Sequence, residues 1–477
     1  MNKIAVYLII CLTSNFYAQN FNAKIDQSIQ KYIELDQFSG TVLLAKNGKI
    51  LYQRACGDAN KSYGVKNTID TKFNIASMGK MFTGVSIMQL EEQGKLNIND
   101  PVIEYLKDFP FGNKITIFHL LSHTSGVGNY MRASDYRSDR HQFKEINDLL
   151  PIIYQQELVF KEPDKRFSYS NSGMILLGAI IENITGLSYS EYITKNIFEP
   201  LKMKNTIMKF GDEVVNNRAT GYSKSISGKY YNNTPYGSSP FPDGGILSTV
   251  KDMLKFDQGL YNSTLINEIS KQKMFKALKV TYGLAFQVEN RQGNKVVGHG
   301  GGMPGFSSYF SRYLKDKYTI IALSNYDLIS RNIVRQIEGI LYNKEYPLPK
   351  ERLRFFIYKN RDKIKSLNSF DAMVNYINNN QYSLKHPQRL NIIAYEFLKE
   401  KEIDFAISLF KLNVHLFPDE PNVYDSLGEA YEKDKQYSLA LKNYEKAVAL
   451  AKKHSHRSLE SYKTTLERFK KQMSKVL

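Results

Sequence analysis

A chain of 477 residues, 42% of them apolar and 23% charged, is long enough for more than one buried core and too apolar to be disordered. Its net charge of +18 is dispersed, which argues against a nucleic-acid-binding stripe. The densest basic stretch, residues 452–475, reads as a solvated helix or a surface drawn to anionic envelope polymers.

Residues 1–18 read as an export signal: Lys3 supplies positive charge, residues 4–13 a short apolar core, and Ala18 a small residue for cleavage. Cleavage there would leave Gln19 first. Cys11 lies inside that core behind the bulky Ile10, where a lipid-attachment signal carries a small residue, so lipidation is not the primary expectation. No later apolar run is long enough to span a bilayer, so no transmembrane segment is expected in the mature chain. Cys56 is then the remaining cysteine and leaves no intramolecular disulfide. It reads as a small packed side chain, not a nucleophile.

Residues 41–46 and 49–55 flank Asn47-Gly48, a pair suited to a tight hairpin turn. A helix is expected to open at Ser77 and run to Gly94, and a second from about Ser172 to Gly186. Consecutive strands are expected at 282–288, 295–299, 307–314 and 318–323, then a closing helix over 332–342. Strand hairpins at both ends with helices between them predict an α+β domain over 21–345, an antiparallel sheet covered by helices.

Past Pro347 and Pro349 the pattern becomes purely helical. Tyr424, Leu427, Gly428, Tyr431, Ala440, Tyr444 and Ala447 have tetratricopeptide spacing. Leu390, Ile393, Ala394, Phe397, Ala406 and Phe410 precede them with the same 34-residue period. Two repeats are therefore expected over 387–454, a helical linker or degenerate unit over 346–386, and a basic capping helix over 455–477. Their expected role is to bind a protein partner of unspecified identity.

Three constellations carry chemistry. Ser77-Met78-Gly79-Lys80 is one of five Ser-x-x-Lys spacings, the others beginning at Ser28, Ser248, Ser270 and Ser408. Ser77 is distinguished by following an extended stretch at a helix start, with Lys80 one turn on, where an amine can activate a weak alcohol nucleophile. Tyr169-Ser170-Asn171 ends a polar loop before an apolar helix. Its phenol is a candidate proton carrier, and its amide a candidate partner for Lys80 and for a substrate carbonyl. In His299-Gly300-Gly301-Gly302 the glycines let a strand edge approach a ligand. The N–H groups of Gly302 and Ser77 would form an oxyanion hole. Taken singly, each has a plain structural reading: a helix cap, a core Tyr, a flexible turn. His119 and His123 have zinc-site spacing but lack the intervening Glu, so packing is expected there and no metal or cofactor.

The ordered set resembles the serine β-lactamase and penicillin-binding DD-peptidase superfamily, in its class C-like branch. Residues 116–126, 167–173, 244–249 and 298–301 match as well. The resemblance implies that fold, with an all-helical subdomain beside the sheet. It also implies acylation of Ser77, proton handling by Lys80 and Tyr169, and substrate contact by Asn171, with His299, Gly300, Gly301 and Gly302 lining the site. His299 replaces the Lys usual in efficient β-lactamases, which favours peptidase or esterase activity over antibiotic hydrolysis. The expectation is an exported, periplasmic or secreted serine hydrolase acting on D-amino-acid peptides, small esters or amides, or β-lactams. The alternatives are a carboxylesterase with no wall substrate and an inactive binding module in which the repeats do the work.

Overall fold

The computed structural model describes residues 21–209, 213–233, 240–344, 346–456 and 458–474. The expected export signal at 1–18, with Cys11, lies outside them. The chain divides into two compact units. One comprises the residues up to Ser223 together with Asn232–Lys350, and the other Lys224–Tyr231 together with Glu351–Leu477. The eight residues Lys224–Tyr231 depart from the contiguous boundary expected from the sequence. Ile226 is buried in the second unit's core, and Arg354 donates to the Lys224 carbonyl.

The first unit is built on a six-stranded antiparallel sheet. Its strands are β1 (Gly40–Lys46), β2 (Lys49–Cys56), β3 (Gln287–Arg291), β4 (Asn294–Met303), β5 (Phe306–Tyr313) and β6 (Tyr318–Ser324), in the spatial order β3-β4-β5-β6-β1-β2. The β1–β2 turn has Asn47 at φ 50° and Gly48 at φ 75°, the double positive φ that Asn-Gly accommodates. The first and last strands of the sheet meet in its middle, where β1 pairs with β6 along its whole length. The strand expected at 282–288 instead starts at Gln287. Ala285 takes a positive φ and donates its N–H to the Leu121 carbonyl, so the preceding residues follow a loop.

The helices of this unit include α1 (Lys80–Glu92), α2 (Asn171–Thr185), α3 (Val250–Tyr261) and α4 (Ser330–Leu341). Ile321 and Leu323 of β6 join the main core, whereas Ile320 and Ala322 point to the opposite face. The sheet is covered on both sides, which explains why β5 and β6 read as nearly continuous buried runs. α1 and α2 are almost wholly buried in the helical part of the core, and α2 ends at Gly186 in the left-handed conformation.

From Leu353 onward the second unit is helical. α5 (Pro387–Lys399) and α6 (Ile403–Leu416) form one antiparallel pair, α7 (Pro421–Lys433) and α8 (Tyr437–Lys453) the next, and α9 (Leu459–Met473) follows. Each pair opens on a proline at the first helical turn, 34 residues apart in sequence. A Cβ at Gly428 would stand 2.8 Å from the Tyr444 ring, so glycine sets how closely α7 and α8 approach. Among the described residues no helix is long and apolar enough to cross a membrane.

Candidate active site

The geometry starts with a short sheet separate from the main one. Phe73–Asn74 pairs antiparallel with Ile246–Ser248, Phe73 facing Ser248 and Asn74 facing Leu247. The Ile75 N–H continues the pairing to the Ile246 carbonyl at 3.0 Å. This clamp sets the turn that carries Ser77 against the Asp243-Gly244-Gly245 segment.

Ser77 does not open the α-helix, as its sequence position suggested. It lies in a 3₁₀ turn, Ala76–Gly79, and α1 begins only at Lys80. The turn forms because the Met78 N–H reaches back to Ile75 rather than to a fourth residue, and Ala76 is held at φ 47° with its N–H on the Asn74 side chain. A non-glycine residue at that φ is locally strained, and surrounding contacts must hold it there.

Lys80 is wholly buried. Its Nζ donates to Ser77 Oγ at 3.1 Å and to the Asp243 carbonyl at 2.7 Å, and lies 5.0 Å from the centre of the Tyr169 ring. The Asp243 carbonyl therefore fixes the ammonium, a role the sequence reading gave to Asn171. The Asn171 amide nitrogen instead faces Asn129 Oδ1 and Met131 Sδ, and its Oδ1 is buried without a hydrogen-bond partner. Ser170, not Asn171, caps α2: its hydroxyl accepts from the Gly173 N–H and donates to the Gly128 carbonyl.

Tyr169 is held from behind by a residue the sequence reading assigned only to packing. His123 is fully buried, its ring centre 4.4 Å from that of Tyr169, and its Nδ1 accepts from the Ser170 N–H at 3.3 Å. Burial, then the charge of Lys80, hold its pKa well below the usual histidine range. His119, by contrast, closes a capping box with Thr116 at the start of a one-turn helix.

His299 stands beside this group, 6.3 Å from the Tyr169 ring, but is only 2% exposed. Its Nε2 pairs with the Tyr282 hydroxyl at 3.0 Å and its Nδ1 with the Gly300 carbonyl at 2.6 Å. That arrangement suits a neutral ring with Nδ1 donating and Nε2 accepting. Burial, reinforced by the Lys80 charge, pushes its pKa down to about 3. The expectation that His299 lines the site is thus corrected: the imidazole sits behind the wall. Gly300 and Gly301 serve packing, since a Cβ at Gly301 would lie 2.1 Å from the Ile75 carbonyl oxygen and one at Gly300 would meet the Tyr309 ring. Of the triplet, Gly302 reaches the cavity, where a Cβ would meet nothing within 4 Å.

The cavity in front of Ser77 holds about 660 Å³, room for a small acyl group with its leaving group. Ser77, Asn171 and Gly302 line it together with Tyr130, Phe241 and Asp243, and Arg137 and Arg140 stand among its exposed walls. A hydroxyl contacted by a buried amine, beside a phenol and at the edge of such a cavity, is the layout of a serine hydrolase.

The comparisons with known proteins give the family. Residues 25–333 match the Beta-lactamase family model, and the chain belongs to that family. It is 31% identical to Penicillin-binding protein 4* of Bacillus subtilis (strain 168) over 354 residues, covering 69% of this chain and 78% of that one. It is 29% identical to a protein named Teichoic acid D-alanine hydrolase from Staphylococcus aureus over 310 residues, 63% of this chain and 73% of the relative. The crystal structure of a penicillin-binding protein from Bacillus halodurans superimposes with a TM-score of 0.61 at 28% identity, covering 65% of this chain and 98% of the other. The chain is a serine hydrolase of the serine β-lactamase and penicillin-binding protein superfamily.

Proposed function

We propose that this enzyme is exported and cleaves ester or amide bonds of D-amino-acid derivatives through an acyl-Ser77 intermediate. The observation that carries the reading is the 3.1 Å contact between Lys80 Nζ and Ser77 Oγ at the edge of the cavity. Ser77 Oγ attacks the substrate carbonyl, and its proton passes to the Lys80–Tyr169 pair, which enters this step one proton short, as amine with phenol or ammonium with phenolate. The same pair returns a proton to the departing alcohol or amine as the carbonyl–leaving-group bond breaks. Water then hydrolyses the acyl-serine. The backbone N–H groups of Ser77 and Gly302, both on the cavity wall, are assigned to the developing oxyanion. Replacing Ser77 by Ala should abolish both turnover of a chromogenic ester and covalent labelling by a fluorescent penicillin. Retention of either would refute the mechanism.

A second reading, a carboxylesterase for small esters, is favoured by one observation. The third motif presents a buried, neutral His299 where a fixed cation would hold a substrate carboxylate. Comparing turnover of a D-Ala-D-Ala peptide with that of a short-chain p-nitrophenyl ester separates the two. The paired helices of the second unit, with their 34-residue period, are assigned as tetratricopeptide repeats that take a protein partner. The apolar leader at residues 1–18 supports export.

A further inference from the structure

One acidic side chain in the cavity has no part in the mechanism above. Asp243 is 5% exposed and lines the same cavity as Ser77. Its backbone carbonyl holds Lys80, but its carboxylate is separate: it accepts from the Tyr130 hydroxyl at 3.2 Å. No ion pair with a Lys, Arg or His side chain is formed by this carboxylate among the described residues. Burying a carboxylate without a counter-ion is costly, which makes the position one that a cationic group would relieve.

Around the carboxylate the cavity wall is aromatic, while Arg137 and Arg140 stand on its exposed side. Tyr130 packs edge-on against Tyr136 at 4.8 Å and against Phe241 at 6.5 Å, and all three rings line the cavity. Aromatic faces around a carboxylate attract a cation through the ring quadrupoles. Asn171 lines the same cavity, with its Oδ1 buried and lacking a hydrogen-bond partner. The charge of Lys80 acts on this carboxyl without an ion pair, but burial outweighs it and raises the Asp243 pKa, and the Lys80 Nζ is itself hydrogen-bonded to the Ser77 hydroxyl and the Asp243 carbonyl.

We infer that Asp243, with Tyr130, Tyr136 and Phe241, forms a subsite for the free α-ammonium of an aminoacyl substrate. The preferred substrates are then esters or amides whose acyl part carries an unblocked amine next to the scissile carbonyl. The inference rests on the reading of Ser77 as nucleophile and adds the chemistry of the acyl group to it.

The test compares the p-nitroanilides of D-alanine and N-acetyl-D-alanine with the full-length wild type, Asp243→Asn and Asp243→Glu. Asp243→Asn keeps the backbone carbonyl that holds Lys80. The wild type should favour the free amine at least tenfold in kcat/KM. Asp243→Asn should cut that ratio at least tenfold, mainly through KM, and Asp243→Glu should restore part of it. A ratio unchanged in Asp243→Asn, whatever happens to the two rates, overturns the proposal. Protection of Ser77 from an uncharged fluorophosphonate probe gives a second readout free of turnover: D-alaninamide should protect the wild type better than its N-acetyl form. Equal protection also overturns the subsite. Labelling that survives Ser77→Ala would instead refute the nucleophile assignment, so the two failures are distinguishable.

Discussion

The ammonium of Lys80 touches the Ser77 hydroxyl and, on its other side, the carbonyl of Asp243, 163 residues further along the chain. Because Lys80 is inaccessible to solvent, the Asp243 carbonyl provides the fixed point from which the amine is aimed at the serine. The nucleophile is therefore only as well placed as the short sheet that brings these two segments together.

Replacing Lys80 by Met keeps the buried volume but removes the amine. A group that transfers protons in the transition state is typically worth about 10²–10⁴-fold in rate. We expect acylation of Ser77 by a chromogenic ester to slow by about that factor. Stopped-flow measurement of the acylation phase checks this, and an unchanged rate would remove Lys80 from the mechanism.

Gly301→Ala should damage the site without touching a reacting group. Its Cβ would lie 2.1 Å from the Ile75 carbonyl oxygen and 2.4 Å from Ser308 Oγ, and Ser308 itself donates to that same carbonyl at 2.7 Å. The turn before Ser77 must then shift. Overpacking of this kind typically costs about 1–3 kcal/mol, read as a lowered melting temperature together with a loss of kcat. Gly302→Ala, where the space is open, should leave the melting temperature unchanged.

His299 ties stability to pH. Its folded pKa of about 3 lies below the ordinary histidine value of 6.5, so between those values the unfolded chain binds the extra proton. Stability is then fully present above pH 6.5 and falls as the pH drops towards 3, at up to about 1.4 kcal/mol per pH unit for this group. His123 is shifted in the same direction and adds to the slope. Denaturant titrations between pH 6.5 and 4.5 should show a shallower pH slope in His299→Gln than in the wild type. Equal slopes would mean that His299 titrates normally.

In the helical unit, Gly428→Leu should push α7 away from Tyr444, whose ring leaves only 2.8 Å for a Cβ. We expect a loss of about 1–3 kcal/mol from the added bulk, seen as a drop in the unfolding midpoint of the full chain. An unchanged midpoint would show that the helix pair accepts a wider spacing.

Much of this protein can be read from contiguous residues. Asn47-Gly48 forces a hairpin because both positions need a positive φ. Ser170 and Gly186 bound an apolar helix through a cap at one end and a left-handed turn at the other. The 34-residue period repeats one helix pair. These are local matters of dihedral preference and spacing. What folding alone decided was which group serves which. The Asp243 carbonyl rather than Asn171 contacts Lys80, His123 packs against Tyr169, and His299 turns to Tyr282. The first of those outcomes depends on the register of strands far apart in the chain, Asn74 against Leu247. A one-residue slip there would invert every facing side chain, and neither partner's own neighbours encode it.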